Sequence, residues 1–179
     1  MSNKHSQKLV ILLVGIVLLF ILFQMGQHSS AIADINAAVG FTFDHKTSLW
    51  EQMGKSVESM DQDLSSFSLL TWNVWFDKKK QTERANEVFK EVEKLSPDFI
   101  CFQETTKIFL SLVASNQFIR NTYSISDING ETFTSYGVVF LWKKNIPVTA
   151  IDFFPLPTRM SRKLLISTIS LINGSNVII

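Results

Sequence analysis

"PDFICFQE" occupies Pro97 to Glu104, and the fold turns on how it is read. Phe99 to Gln103 are strand formers of mostly apolar character, and the run ends directly on a carboxylate. Strands buried on both faces read as unbroken apolar runs of this kind, whereas half-exposed strands alternate. A second run, "SLLTWN" from Ser68 to Asn73, ends on a carboxamide. Between them, the stretch Thr82 to Leu95 sets Ala85, Val88, Phe89, Val92 and Leu95 at helical spacing and fills the other face with charge. Ser96 and Pro97 stop that helix, because proline disfavours helix in the residue before it. The pattern is a strand over Phe67 to Val74, a helix, then a strand over Asp98 to Gln103.

Outward from this unit the order becomes mixed. Thr106 is placed to cap a second, short helix carrying Ile108, Phe109, Leu112 and Val113. Further strands are predicted around Tyr136 to Trp142, Val148 to Phe154 and Leu164 to Ile172, with "NGS" at Asn173 to Ser175 as a hairpin turn. The expected class is α/β (α+β), layered on sheets, rather than a helical bundle or an all-β barrel.

The N-terminus is of a different character. After Lys4 and Lys8 comes "LVILLVGIVLLFILF", Leu9 to Phe23, which Met25 and Gly26 extend to about the lower limit for a bilayer-spanning helix. Residues 1–26 are expected to be a signal anchor or a signal peptide, with "AIA" at Ala31 to Ala33 as a small-residue cleavage site for the second reading. No Lys or Arg follows the apolar run until Lys46, so the positive-inside rule sends the rest of the chain across the membrane. The localisation expected is therefore single-pass membrane with a luminal or extracellular domain, or alternatively secreted. Residues 27–66 read as a polar tether. Within it Ser48 and Glu51 have capping-box spacing, and Leu49, Met53, Val57 and Met60 fall on one helical face, which predicts a short amphipathic helix.

Bulk properties exclude more than they identify. With 179 residues there is room for one modest domain at 67–179. A net charge of +1 announces neither a nucleic-acid-binding basic surface nor an acidic tail. The single cysteine, Cys101, rules out an intrachain disulfide and a cysteine-based zinc cluster, and its place in the apolar run predicts a small packed hydrophobe.

A carboxylate at the end of a buried strand is costly unless it is paired or binds a cation. Magnesium suits Glu104: a hard ion held by one or two protein carboxylates, with water and phosphate oxygens completing its shell. The carboxamide of Asn73 is a neutral donor for the same phosphate. The alternative from the residues alone is that Asn73 starts an Asx-turn and Glu104 is a solvated residue before a helix.

"LLTWNVWFD", "ERANEVFKEVEKLSPDFICFQETT", "GVVFLWKK" and "PLPTRMSRKLLISTISLINGSNVII" resemble the first half of the endonuclease/exonuclease/phosphatase superfamily over about Leu69 to Ile179, most closely its tyrosyl-DNA phosphodiesterase type 2 branch. The resemblance implies the first half of a four-layer, two-sheet sandwich flanked by helices. It also implies phosphodiester or phosphomonoester hydrolysis with magnesium or manganese, with Glu104 as a metal ligand and Asn73 orienting or polarising the phosphate. Arg162 matches a position that is commonly Arg in these relatives, where its planar fork would brace the metal carboxylate or meet a phosphate. Otherwise it is a surface Arg beside Arg159 and Lys163. The substrate implied is a phosphate ester, either nucleic acid or a phospholipid head group; the outward orientation favours extracellular nucleic acid or lipid. "DKKK", Asp77 to Lys80, is either a polyanion-gathering run or a solvated loop, and one of Trp72 and Trp75 is expected in the core.

The family's late histidine and aspartate motifs have no counterpart. His5, His28 and His45 are the only histidines, all N-terminal to the domain. Ending at Ile179, the chain is expected to be an incomplete piece, inactive alone, that exposes the apolar faces of "SYGVVFLW" and "LLISTISLI". A catalytically dead, membrane-tethered binding module or a non-functional fragment is the alternative. Asn173-Gly174-Ser175 also has the N-glycosylation acceptor pattern.

Overall fold

Alternation along two central strands sorts their side chains into two separate cores, and that sorting builds the layers. The computed structural model describes residues 40–53, 66–158, 162–170 and 175–179. In chain order the elements are β1 (Phe41–Asp44), β2 (Leu49–Gln52), β3 (Leu69–Asn73), α1 (Gln81–Leu95), β4 (Phe99–Thr105), α2 (Lys107–Ser115), α3 (Gln117–Thr122), β5 (Tyr123–Ile125), β6 (Gly137–Lys143), β7 (Val148–Pro155), β8 (Lys163–Ser170) and β9 (Asn176–Ile178). Six strands form one sheet in the order β2-β1-β5-β6-β4-β3, and three form a second in the order β7-β8-β9.

On β4, Ile100 and Phe102 face one core while Phe99 and Cys101 face the other; on β6, Val139 and Leu141 share the first and Phe140 and Trp142 the second. The first core is roofed by Ala85, Val88, Phe89 and Val92 of α1 and by Phe109, Leu110 and Val113 of α2. In the second, Ile151 and Ile169 of the smaller sheet pack against Phe99, Phe140 and Trp142. Mixed α+β layers with two sheets result: helices, six-stranded sheet, three-stranded sheet.

Several boundaries agree with the sequence reading. Thr106 caps α2 as expected, its hydroxyl accepting the Phe109 N–H at 3.2 Å. Cys101 is half-buried against the second core, and burial pushes its thiol pKa up, as for an inert packing residue. Asp98, at the start of β4, is pushed up by burial, but the Ser68 N–H and hydroxyl and the Lys143 ammonium outweigh this and hold its carboxyl below the usual range. Those bonds pin β3 and β6 to the entry of β4.

Four expectations are corrected. Leu49–Gln52 is a strand, not part of an amphipathic helix: it pairs antiparallel with β1, and the Trp50 indole donates to the Ala114 carbonyl, an anchoring that local periodicity does not register. Through β1 pairing with β5, the six-stranded sheet takes in residues before Phe67 that read as tether. Leu95 is exposed, not part of the buried stripe of α1, because the helix ends there and Ser96 turns into the left-handed region. The inner face of β6 is not open, since the smaller sheet covers Phe140 and Trp142; on β8, Leu164 remains exposed while Ile169 is buried. The short α3 and the strand β5 had no distinct sequence signal, whereas β9, antiparallel to β8, follows the expected hairpin turn. Among the described residues no helix is long and apolar enough to cross a membrane. The expected membrane segment at residues 1–26 and most of the turn at Asn173 to Ser175 lie outside the described residues.

Candidate functional site

Because β3 and β4 are parallel and joined by a helix, both end at the same edge of the sheet, where α/β folds place their sites. Asn73 is the register partner of Gln103, one residue short of Glu104. Strict alternation would turn Glu104 toward the helices, as it does Ile100 and Phe102. A bulge intervenes: the pairing of β4 with β6 shifts between Phe102 and Thr105, and Glu104 adopts φ 57°, in the left-handed region. For a residue with a Cβ that conformation costs about 1–2 kcal/mol, and bulges of this kind re-aim a side chain. Glu104 is re-aimed at Asn73. The Asn73 Nδ2 donates to Glu104 Oε1 at 2.9 Å, and the Phe76 backbone N–H donates to Glu104 Oε2 at 3.3 Å.

The orientation of the Asn73 amide follows from its surroundings. A carboxylate only accepts, so the NH2 must face Glu104. Its oxygen then takes the Trp75 N–H at 2.9 Å, an Asx-turn that starts the loop to α1. Of the two readings weighed for Asn73 the structure shows the turn, and it adds a contact with the Glu104 carboxylate.

Beside this pair lies an open cleft of about 350 Å³ lined by Asn73, Gln103, Glu104, Tyr136, Arg162 and Lys163, among others. All three residues singled out in the sequence thus border one cavity. Among the described residues that line it Glu104 is the one acid, and Arg162 and Lys163 are two cations. A positively biased cleft with one carboxylate suits an anion accompanied by a cation better than it suits either alone. The Lys163 ammonium donates to the Thr132 carbonyl, and Arg162 is steadied at its backbone, where its carbonyl accepts the Leu156 N–H at 2.9 Å.

Metal chemistry is tested by this donor set. Glu104 accepts one hydrogen bond at each oxygen, leaving lone pairs on both, and hard oxygen is the ligand type that magnesium or manganese takes. The set therefore fits an ion held mainly by water and phosphate oxygens. Among the described residues no group of three or more His, Cys, Asp or Glu side chains is arranged to enclose one.

Three features were not foreseen. Arg84 on α1 reaches across the loop after Asn73. Gln81, buried at the start of α1, donates to the Thr106 hydroxyl at 2.8 Å and ties the two helix N-termini together. Phe76 stacks on Tyr136, one of the residues lining the cleft, with ring centroids 4.8 Å apart. Neither tryptophan beside Asn73 is in the core: Trp72 and Trp75 are 37% and 48% exposed, since β3 is an edge strand and Trp75 has φ 57°. "DKKK" is an exposed turn, in which the Asp77 carboxylate accepts the Lys79 N–H at 2.7 Å.

Residues 70–177 match the model of the endonuclease/exonuclease/phosphatase family. The chain belongs to that family. Human tyrosyl-DNA phosphodiesterase 2 is 29% identical over 126 residues, which cover 69% of this chain and 33% of the human protein. The chain thus spans about a third of that relative's length. Among solved structures, Caenorhabditis elegans TDP2 superposes with a TM-score of 0.55 at 24% identity, covering 66% of this chain and 35% of the other. D. rerio TDP2, in complex with a single-strand DNA product, superposes with a TM-score of 0.54 at 20% identity, covering 64% and 44%. At those identities the superpositions establish the fold.

Proposed function

We propose that the chain carries the cation- and phosphate-binding part of a metal-dependent phosphodiester hydrolase site. The observation that carries the reading is the Glu104–Asn73 contact at the bulged end of β4, in a cleft that Arg162 and Lys163 also line. Glu104 would hold magnesium or manganese. Such an ion stabilises charge developing on a phosphoryl group when bound. Asn73 fixes the carboxylate through Nδ2 and keeps a neutral dipole where a second carboxylate would repel the phosphate. Arg162, lining the same cleft, offers a planar pair of donors to phosphate oxygens.

A second reading has its own observation in favour. Among the described residues the cleft presents one carboxylate and no histidine, so a general base is missing from this part of the site. Binding of a phosphate ester without turnover by this chain alone follows from that composition. The substrate proposed is a nucleic acid or a phospholipid head group. The relative solved with a single-strand DNA product supports the first, and the apolar run at Leu9 to Phe23 supports a membrane-attached or secreted protein acting outside the cytosol.

One experiment separates these readings. Isothermal titration of the full chain with manganese, and then with a model phosphodiester, should show binding that Glu104→Gln abolishes. Release of product from the same diester marks a hydrolase, and saturable binding without product marks a binding module. Manganese binding that persists undiminished in Glu104→Gln would defeat both. Carbonate extraction of membranes tests the anchor, with the chain expected in the pellet.

A further inference from the structure

We infer that Arg84 is a positioning residue for the Glu104–Asn73 pair, acting through the loop between β3 and α1. The inference rests on the metal- and phosphate-binding reading of that pair. Arg84 sits half-buried in the first turn of α1 and spends its whole guanidinium on this loop. Its Nη1 donates to the carbonyls of Val74 at 2.7 Å and Trp75 at 3.1 Å, its Nη2 to that of Asp77, and its Nε to that of Lys79 at 3.1 Å. The guanidinium carbon also lies 4.7 Å from the centroid of the Trp75 ring. Four carbonyls and a ring are thus gathered by one rigid, planar fork.

The same loop supplies the two backbone donors of the site. Trp75 N–H fixes the oxygen of Asn73, and Phe76 N–H meets Glu104 Oε2. Peptide planes are rigid, so holding the carbonyls of Val74 and Trp75 fixes the directions of the N–H groups of Trp75 and Phe76, which belong to those same planes. The loop is also held at Val74, which is buried and donates its N–H to the Gln103 carbonyl at 3.0 Å, and at Phe76, which stacks on Tyr136. Its conformation is unfavourable between and beyond them. Trp75 and Lys80 both have φ in the left-handed region, and α1 starts without a side-chain cap. Without the fork, the carbonyls on both sides of the unfavourable φ of Trp75 lose their donors; as that φ relaxes, the Asn73 amide loses the partner that sets which of its ends faces Glu104. Lysine cannot substitute: a single ammonium has no planar array of donors to span four carbonyls.

Hydrogen exchange and amide proton NMR of the full chain carrying Arg84→Lys or Arg84→Gln test the inference, alongside manganese titration. Protection of the Trp75 and Phe76 amides is expected to fall about tenfold or more, and the Asn73 side-chain amide resonances to shift, while Val88 and Val92 in α1 keep their protection. Manganese affinity should weaken roughly tenfold, as for the loss of a residue that orients a ligand, and by no more than that when Asn73→Ala is already present. Unchanged Trp75, Phe76 and Asn73 signals in both variants would overturn it, as would loss of protection along all of α1. A wild-type chain that binds no manganese overturns the metal reading of Glu104, whereas the exchange and side-chain amide data still decide whether Arg84 sets the pair.

Discussion

Glu104, in the last residues of β4, and Asp127, just beyond β5, are both carboxylates that catch backbone N–H groups, yet they do opposite things. Asp127, 3% exposed, accepts four hydrogen bonds: Oδ1 from the N–H groups of Asn129 and Gly130, and Oδ2 from the N–H and hydroxyl of Thr132. Burial pushes its pKa up, but these donors, Thr132 first, outweigh it and hold the carboxyl below the usual range. Its oxygens are saturated. Glu104 accepts one bond per oxygen, sits in a strained bulge and opens on a cleft with two cations. What separates a structural carboxylate from a candidate ligand here is spare acceptor capacity. Asp127 has committed its own to folding the loop over Phe133, and Glu104 has kept some back.

That contrast can be broken by substitution. Glu104→Gln should remove measurable manganese binding in a calorimetric titration while leaving the melting temperature nearly unchanged; Asp127→Asn should leave binding intact. The reverse pattern would mean that the two carboxylates have been assigned the wrong way round. For stability the order inverts. Asp127→Ala strips four donors of their charged acceptor and should cost about 3 kcal/mol by denaturant unfolding. Asn73→Ala should cost less, about 1 kcal/mol for its turn and carboxylate bonds, and should weaken manganese binding without abolishing it.

Acid sharpens the comparison further. The folded pKa values of Asp127 and Asp98 are depressed, so each contributes stability that is complete above the unfolded aspartate value, about 3.9. That contribution is lost as pH falls through the lower, folded values. Unfolding free energy measured against pH should therefore fall below about pH 4, and Asp127→Asn should flatten the fall. The smallest effect is expected for Lys143→Met, which removes the ammonium 3.0 Å from Asp98 but leaves the Ser68 bonds: about 1 kcal/mol, shrinking with added salt.

Legibility followed the range of the signal. The strand-helix-strand unit could be read because its determinants are local: apolar runs at Leu69–Asn73 and Phe99–Thr105, a helical stripe and a stop at Ser96 and Pro97. The β1–β2 hairpin could not. Its Leu49 and Met53 spacing satisfies a helix equally well, and the pairing of Phe41 with Ile125 is a contact across more than eighty residues. In the sequence Arg84 is one charge among those on the polar face of α1, and nothing in "ERANEV" says that its guanidinium folds back over the preceding loop.

By itself, the sequence determined which residues end the two apolar runs, of which only the fold shows β4 buried and β3 at the sheet edge, and that a carboxylate and a carboxamide would stand at one edge of a sheet. Apolar periodicity and proline placement suffice for that, because they act within a few residues. Only the tertiary structure decided that Glu104 leaves its alternation, meets Asn73 at 2.9 Å and shares a cleft with Arg162. Those facts depend on a register shift against β6 and on the approach of the loop before β8, and both are set by packing between segments that no local pattern relates.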